Sequence, residues 1–276
     1  MFAAYCHKLG KLIAKGSDFI DILNEKQLLR TGNFSSPKKL RFYLLLRFID
    51  QRGEPAGCGV LREDFLKFGI DCSTATIGRY LKELDFKDYT VQNSNLGRVL
   101  TPSGKAYLRD MNERLERAMM QSELSKNVKV TNYDELEELL LARRALEAEA
   151  ARLAALNATD EELNRLMEAV QRHKQTVQRN EDPTETALQF HTVVAEISGN
   201  RFVISILNML VYEEKKIESK MDALVTRERG RLYVVEHEEI AKAICSHNAD
   251  LAKELMNKHL TVLCDAVVEQ EDLMQG

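Results

Sequence analysis

The stretch Asp71-Cys72-Ser73-Thr74-Ala75-Thr76-Ile77-Gly78-Arg79-Tyr80-Leu81-Lys82-Glu83-Leu84-Asp85-Phe86 decides the reading of the first part of this chain. Ser73 offers a helix N-cap, because its hydroxyl can accept a bond from an amide of the first turn. Behind it Ile77, Leu81 and Leu84 recur at helical spacing as a buried side, which leaves Thr74, Thr76, Arg79 and Lys82 toward solvent. On the N-terminal side, residues 60–68 read as a second helix closed by Gly69. Residues 39–51 read as a first, with Leu40, Tyr43, Leu44 and Phe48 apolar and Gly53 and Pro55 ending it. On the C-terminal side the pattern becomes that of strands: residues 89–92, a polar turn at Asn93-Ser94-Asn95, then residues 97–101. Three helices and a hairpin predict a winged helix-turn-helix domain. Its third helix would enter the major groove and Arg98 on the wing would meet phosphate or minor groove. Thr74, Thr76, Arg79, Lys82 and Arg98 are therefore the DNA-binding candidates, with a double-stranded operator as partner. The plainer alternative is a winged helix used for protein contact.

Charge favours the nucleic-acid reading. Residues 1–115 carry 19 Lys+Arg against 13 Asp+Glu, whereas residues 116–276 carry 20 against 30, so only the half with the helix-turn-helix suits a polyanion. The 276 residues allow two domains, and no run is apolar over the ~18 residues of a membrane span. Lys8 and Lys11 interrupt the one apolar stretch near the start, unlike a signal peptide, so a cytoplasmic protein with no membrane partner is expected. Five scattered cysteines without a C-x-x-C pair suggest neither a disulfide framework nor a zinc finger.

Residues 103–124 read as a charged helix, and residues 125–132 break the pattern. From Tyr133 a long amphipathic helix places Leu136, Leu139, Leu140, Leu146, Ala150, Leu153 and Ala154 in one stripe, with Arg143 in its middle. A buried guanidinium needs an anion. Glu147, one turn on, is one candidate; the carboxylate of a bound ligand is the other.

Three histidines add a second site. His191, His237 and His259 each have apolar residues on the preceding and following turns, so each ring should point into a helical core. Asn248, in the turn Ser246-His247-Asn248, lies eleven residues from both His237 and His259. If the flanking helices fold back on each other, both rings lie ~16 Å from the turn at ~1.5 Å rise per residue, level with one another and able to share a metal. His173 has similar flanks, a reminder that apolar neighbours more often mark a core histidine bonded to a carbonyl or carboxylate.

Residues 73–84 resemble the recognition-helix segment of the GntR family of bacterial repressors, and residues 97–104 look like the wing of other winged-helix regulators. Thr74 and Gly78 stand where that family usually carries arginines, with Arg79 displaced by one, so no base-reading code is carried over. The second half resembles the FCD effector domain of the FadR subfamily. The likeness rests on Arg143-Arg144-Ala145-Leu146-Glu147 with Ala150 and Leu153-Ala154-Ala155; on Phe190-His191 with Ser198-Gly199-Asn200; on Glu236-His237-Glu238-Glu239-Ile240; and on Ala252 and Met256 before His259-Leu260. The resemblance implies an antiparallel all-helical bundle that forms a homodimer, binds a small organic acid through Arg143 and Asn200, and holds a divalent metal on His191, His237 and His259. In many members an Asp four residues before the first histidine completes the set, and here that position is Ala187. Three imidazoles still suit zinc or nickel with open positions. Metal-free members that bind acyl thioesters form a second branch, from which the retained histidines separate this chain.

The expectation is a mainly α protein: residues 1–38 a helical extension, 39–110 a winged helix, 111–132 a connecting helix and linker, and 133–276 an FCD-like effector-binding and dimerisation bundle. The function expected is transcriptional regulation, not catalysis. A metal-dependent enzyme with a three-His centre is the competing class, for which the sequence offers no clear proton-transfer residue.

Overall fold

The computed structural model describes residues 24–218 and 229–275. Most of the extension expected over residues 1–38 lies outside them. The described residues fall into two compact units, residues 1–125 and 126–276, with eleven helices and one two-stranded sheet. The mainly helical architecture agrees with the reading of the sequence. No helix among the described residues is long and apolar enough to cross a membrane.

In the first unit, helices α1 (Glu25–Arg30), α2 (Pro37–Arg52), α3 (Cys58–Lys67) and α4 (Thr74–Phe86) precede strands β1 (Thr90–Asn93) and β2 (Gly97–Leu100) and helix α5 (Pro102–Asn127). Ser36, followed by Pro37 at the first helical position, starts α2, and left-handed Gly53 ends it. Ser73 accepts the Thr76 amide at 3.2 Å and starts α4 where the sequence placed it. Ile77, Leu81 and Leu84 are fully buried against Leu40, Leu44, Leu61 and Phe65. The pairing of β1 with β2 is antiparallel, Thr90 opposite Leu100, and Arg98 also exchanges two 3.0 Å backbone bonds with Ala56. That third, single-residue rung explains Gly97. Its φ is +128°, and a Cβ there would lie 2.3 Å from the Ala56 carbonyl carbon, so only glycine lets the hairpin close on the preceding loop.

The second unit holds α6 (Tyr133–Asn157), α7 (Asp160–Gln178), α8 (Thr184–Ile197), α9 (Arg201–Glu218), α10 (Gly230–Cys245) and α11 (Ala249–Gln275). Asn132 caps α6, and a reciprocal Thr159–Glu162 capping box starts α7. Ala150, Ala151, Ala154 and Ala155 on α6 are fully buried; side chains this small let neighbouring helices come close. The turn between α10 and α11 is tight. His247 adopts φ +55°, its Nδ1–H donates to the Ala155 carbonyl at 2.8 Å, and the Asn248 amide closes on Ala243. These two helices run back along each other, the condition under which the eleven-residue spacing about Asn248 makes His237 and His259 level.

Candidate metal and effector site

His191 comes from α8, His237 from α10 and His259 from α11, and all three are buried. One ligand nitrogen from each lies within 4.8 Å of the others. The Nε2 atoms of His237 and His259 are 3.2 Å apart, so the two rings are level and face one another. Each ring is held from behind at Nδ1. Glu147 receives the Nδ1–H of His191 in a short contact, Glu236 receives that of His259 at 2.7 Å, and His237 Nδ1 meets His173 Nδ1 at 3.1 Å. Carboxylates behind histidines fix the ring and its tautomer, leaving Nε2 to a metal.

Arg143 organises the anionic side of the site. Fully buried on α6, it donates from Nε to Glu147 at 2.6 Å and from Nη1 to Glu214 of α9. Burial alone would raise the Glu147 carboxyl, but Arg143 and His191 outweigh it and hold it down to about 2. For Glu214 burial wins, because it shares the guanidinium with a second carboxylate, and its pKa is raised. Burial lowers His191 to about 4 against the pull of Glu147, and lowers His173 to about 4. Burial, then the neighbouring His259 and His191, puts His237 well below the usual value. The imidazoles of His173, His191 and His237 are thus neutral at pH 7, the form a cation requires. The donor set fits a divalent ion of the zinc or nickel kind.

Acid should dismantle this arrangement. In the unfolded chain His173 and His191 take a proton near 6.5, but in the fold only near 4; Glu147 keeps its charge to about 2 where an ordinary carboxyl titrates near 4.5. All three folded values are depressed, so the unfolded state binds more protons as pH falls. The stability they contribute is complete above about 6.5, is lost between 6.5 and 4 for the histidines, and between 4.5 and 2 for Glu147. Melting curves of chelator-treated protein should decline steadily from pH 7 to pH 4. A flat midpoint over that range would contradict the assignment.

Ala187, Leu188, Tyr233, Glu214 and Arg143 border the small pocket in front of the three histidines. Two buried donors there have no partner among the described residues, the Nη2 of Arg143 and the hydroxyl of Tyr233, which burial keeps protonated. Of the two sources of an anion considered for Arg143, the structure shows the protein one, with Glu147 on Nε and Glu214 on Nη1, and one nitrogen is left. Asn200 is a correction. Exposed at the start of α9, it accepts the Phe202 and Val203 amides at 3.1 and 3.4 Å, a helix cap outside this pocket. The roomier cleft of the first unit, between Phe48, Arg52, Asp64 and Lys67, contains an Arg52–Asp64 pair that satisfies itself at 2.8–2.9 Å.

Residues 138–262 match the FCD domain model. Over these residues the second unit is similar to the FCD domain. The chain is 30% identical over 128 residues to the Uxu operon regulator of Haemophilus influenzae, covering 45% of this chain and 47% of that protein. It is 25% identical over 174 residues to the HTH-type transcriptional repressor NanR of Escherichia coli K12, covering 62% and 60%. The matches thus span about half to three-fifths of these relatives' length. The solved Streptococcus agalactiae GntR aligns over 80% of this chain and 96% of that one, with 21% identity and a TM-score of 0.43.

On the first unit, Thr74, Arg79 and Lys82 are exposed on α4 and Thr76 is half-buried, with Arg79 Nη2 donating to Thr76 Oγ1 at 3.2 Å. Arg98 differs from expectation. Its Nε donates to both oxygens of Asp85 at 3.1 and 2.8 Å, while Thr90 donates to the same carboxylate at 2.6 Å. The Nε edge of this guanidinium ties the hairpin to the end of α4. Glu147 entered the sequence reading only as a partner for Arg143; Glu214, Glu236 and Tyr233 did not enter it as site residues. Glu236, beside His237, was the most accessible of them to sequence reasoning.

Proposed function

We propose that this chain is a DNA-binding transcriptional regulator whose FCD domain senses a small carboxylate through a divalent metal, zinc or nickel, held by His191, His237 and His259, and which acts as a homodimer on a double-stranded operator. The observation that carries the reading is the convergence of three buried, individually anchored imidazoles beside a guanidinium nitrogen that has no partner among the described residues. A metal bound there would supply Lewis acidity toward an effector oxygen. The protein's own part is to orient and select. Arg143 Nη2 and the Tyr233 hydroxyl offer donors to the acid, while Glu214 accepts from a ligand hydroxyl and repels a second negative charge. Ligand that binds these helices in one arrangement better than another shifts operator affinity by that difference. On the first unit Thr74, Thr76, Arg79 and Lys82 of α4 read the groove, and Arg98 positions the wing. The named relatives are an operon regulator and a repressor, which supports regulation over catalysis.

The test begins with duplexes selected from a random pool by the purified protein. Arg79→Ala is expected to weaken the selected duplex by about 1–3 kcal/mol and leave unrelated DNA little changed. Lys82→Ala should weaken all duplexes and reduce the salt slope by about one. Adding zinc with candidate organic acids should move the selected affinity in wild type. Failure to enrich any duplex would sink the DNA reading; enrichment without any response to metal or acids would sink the effector reading.

A further inference from the structure

We propose that His173 is a positioning residue for the metal site, the acceptor that fixes the tautomer of His237. The inference rests on the metal reading above and concerns a residue outside the three-histidine set.

For His237 to offer the Nε2 that faces His259, its proton must sit on Nδ1. A buried N–H without an acceptor is costly. The contact made by that nitrogen is His173 Nδ1 at 3.1 Å, across rings tilted by 50° with centroids 4.9 Å apart. The flat side of His237 is covered by Phe190, stacked at 4.0 Å, which offers no acceptor in the ring plane. His191 and His259 are backed by Glu147 and Glu236, so His173 occupies in the third case the place a carboxylate holds in the other two. Its own environment points the same way. His173 is wholly buried and its Nε2 has no partner. A histidine kept in the core for its own hydrogen bonding would satisfy that nitrogen; here the polar contact made is the one to His237. With Nδ1 as acceptor, His173 carries its proton on Nε2, a buried N–H without a partner among the described residues, and this cost is offset only when His237 Nε2 is engaged by an ion. The backing of the three imidazoles then adds two negative charges and not three, in a core where Glu214 is already present.

Zinc affinity of the full chain, measured by competition with a chromophoric chelator, tests this together with the visible ligand-field bands of the cobalt-loaded protein. His173→Leu is expected to weaken zinc binding 10–100-fold and shift the cobalt bands. His173→Asn, whose Oδ1 takes the position of Nδ1 and still accepts, should stay within a few-fold of wild type and keep its spectrum. Should the leucine variant not fold, as read from the melting of metal-free protein, His173→Gln replaces it, since its carbonyl reaches the Nε2 position instead. Wild-type affinity and spectrum in the non-accepting variant, or equal weakening in the Asn and non-accepting variants, overturns the inference alone. Wild-type protein that takes up neither ion overturns the metal reading and the inference together.

Discussion

Arg143→Ala is expected to cost the helical unit about 3–5 kcal/mol, because removing one member of a buried ionic cluster strands the others. The guanidinium answers two carboxylates from two different helices, Glu147 on its own α6 and Glu214 on α9, and all three are buried. Without it Glu147 keeps only His191, and Glu214 loses the charge opposing its burial. Denaturant unfolding monitored by circular dichroism in chelator would show the loss. Glu147→Gln/Glu214→Gln in the Arg143→Ala background should recover part of it, since the amides carry no stranded charge. A single variant as stable as wild type would mean that solvent reaches the cluster and that Arg143 is not its keystone. The same geometry sets the expected effector phenotype. Losing Arg143 disturbs the anchor of His191 as well as the ligand-facing Nη2, so metal retention and acid response should decline together.

His237→Ala and His259→Ala should each abolish stoichiometric metal binding and, with it, the rise in melting temperature that zinc gives the wild-type protein. Saturation at a hundred times the dissociation constant corresponds to about 2.7 kcal/mol, which neither variant should gain. Comparing each variant with and without metal separates this effect from the cavity left by a deleted ring. Ala187→Asp, placing a carboxylate one turn before His191 at the pocket wall, should tighten binding. Elemental analysis is decisive. Metal at full occupancy in both alanine variants would place the site elsewhere and leave these residues as core histidines.

Much of this was legible in the sequence because it depends on local periodicity. The start of α4 at Thr74, its buried Ile77, Leu81 and Leu84, and the hairpin after it follow from an N-cap, a helical stripe and a polar turn. The facing of His237 and His259 followed from helical rise about a known turn, a calculation that needs no tertiary information beyond the reversal itself. What was hidden lies between helices distant in sequence. Glu214 is 71 residues from Arg143, and His173 is 64 from His237. Apolar flanks established that His173 is buried but could not tell what it would touch, and on flanks alone it looked interchangeable with the other three. Asn200 and Arg98 make contacts that the sequence does not reveal, for a related reason. An Asn before a helix is a cap as readily as a ligand contact, and the basic residue of a hairpin can be neutralised by an acid thirteen residues earlier, here Asp85.

The three candidate ligands stand 46 and 22 residues apart, and each comes from a different helix. No two of them form a chelate within one helical turn, so the denatured chain offers an ion only scattered single imidazoles. Residual affinity of the unfolded ensemble, which in proteins with closely spaced ligands subtracts from the stabilisation, is therefore small here. Whatever the folded site gains from an ion then goes almost undiminished to the native state, and the ion discriminates a completed bundle from any partly assembled one.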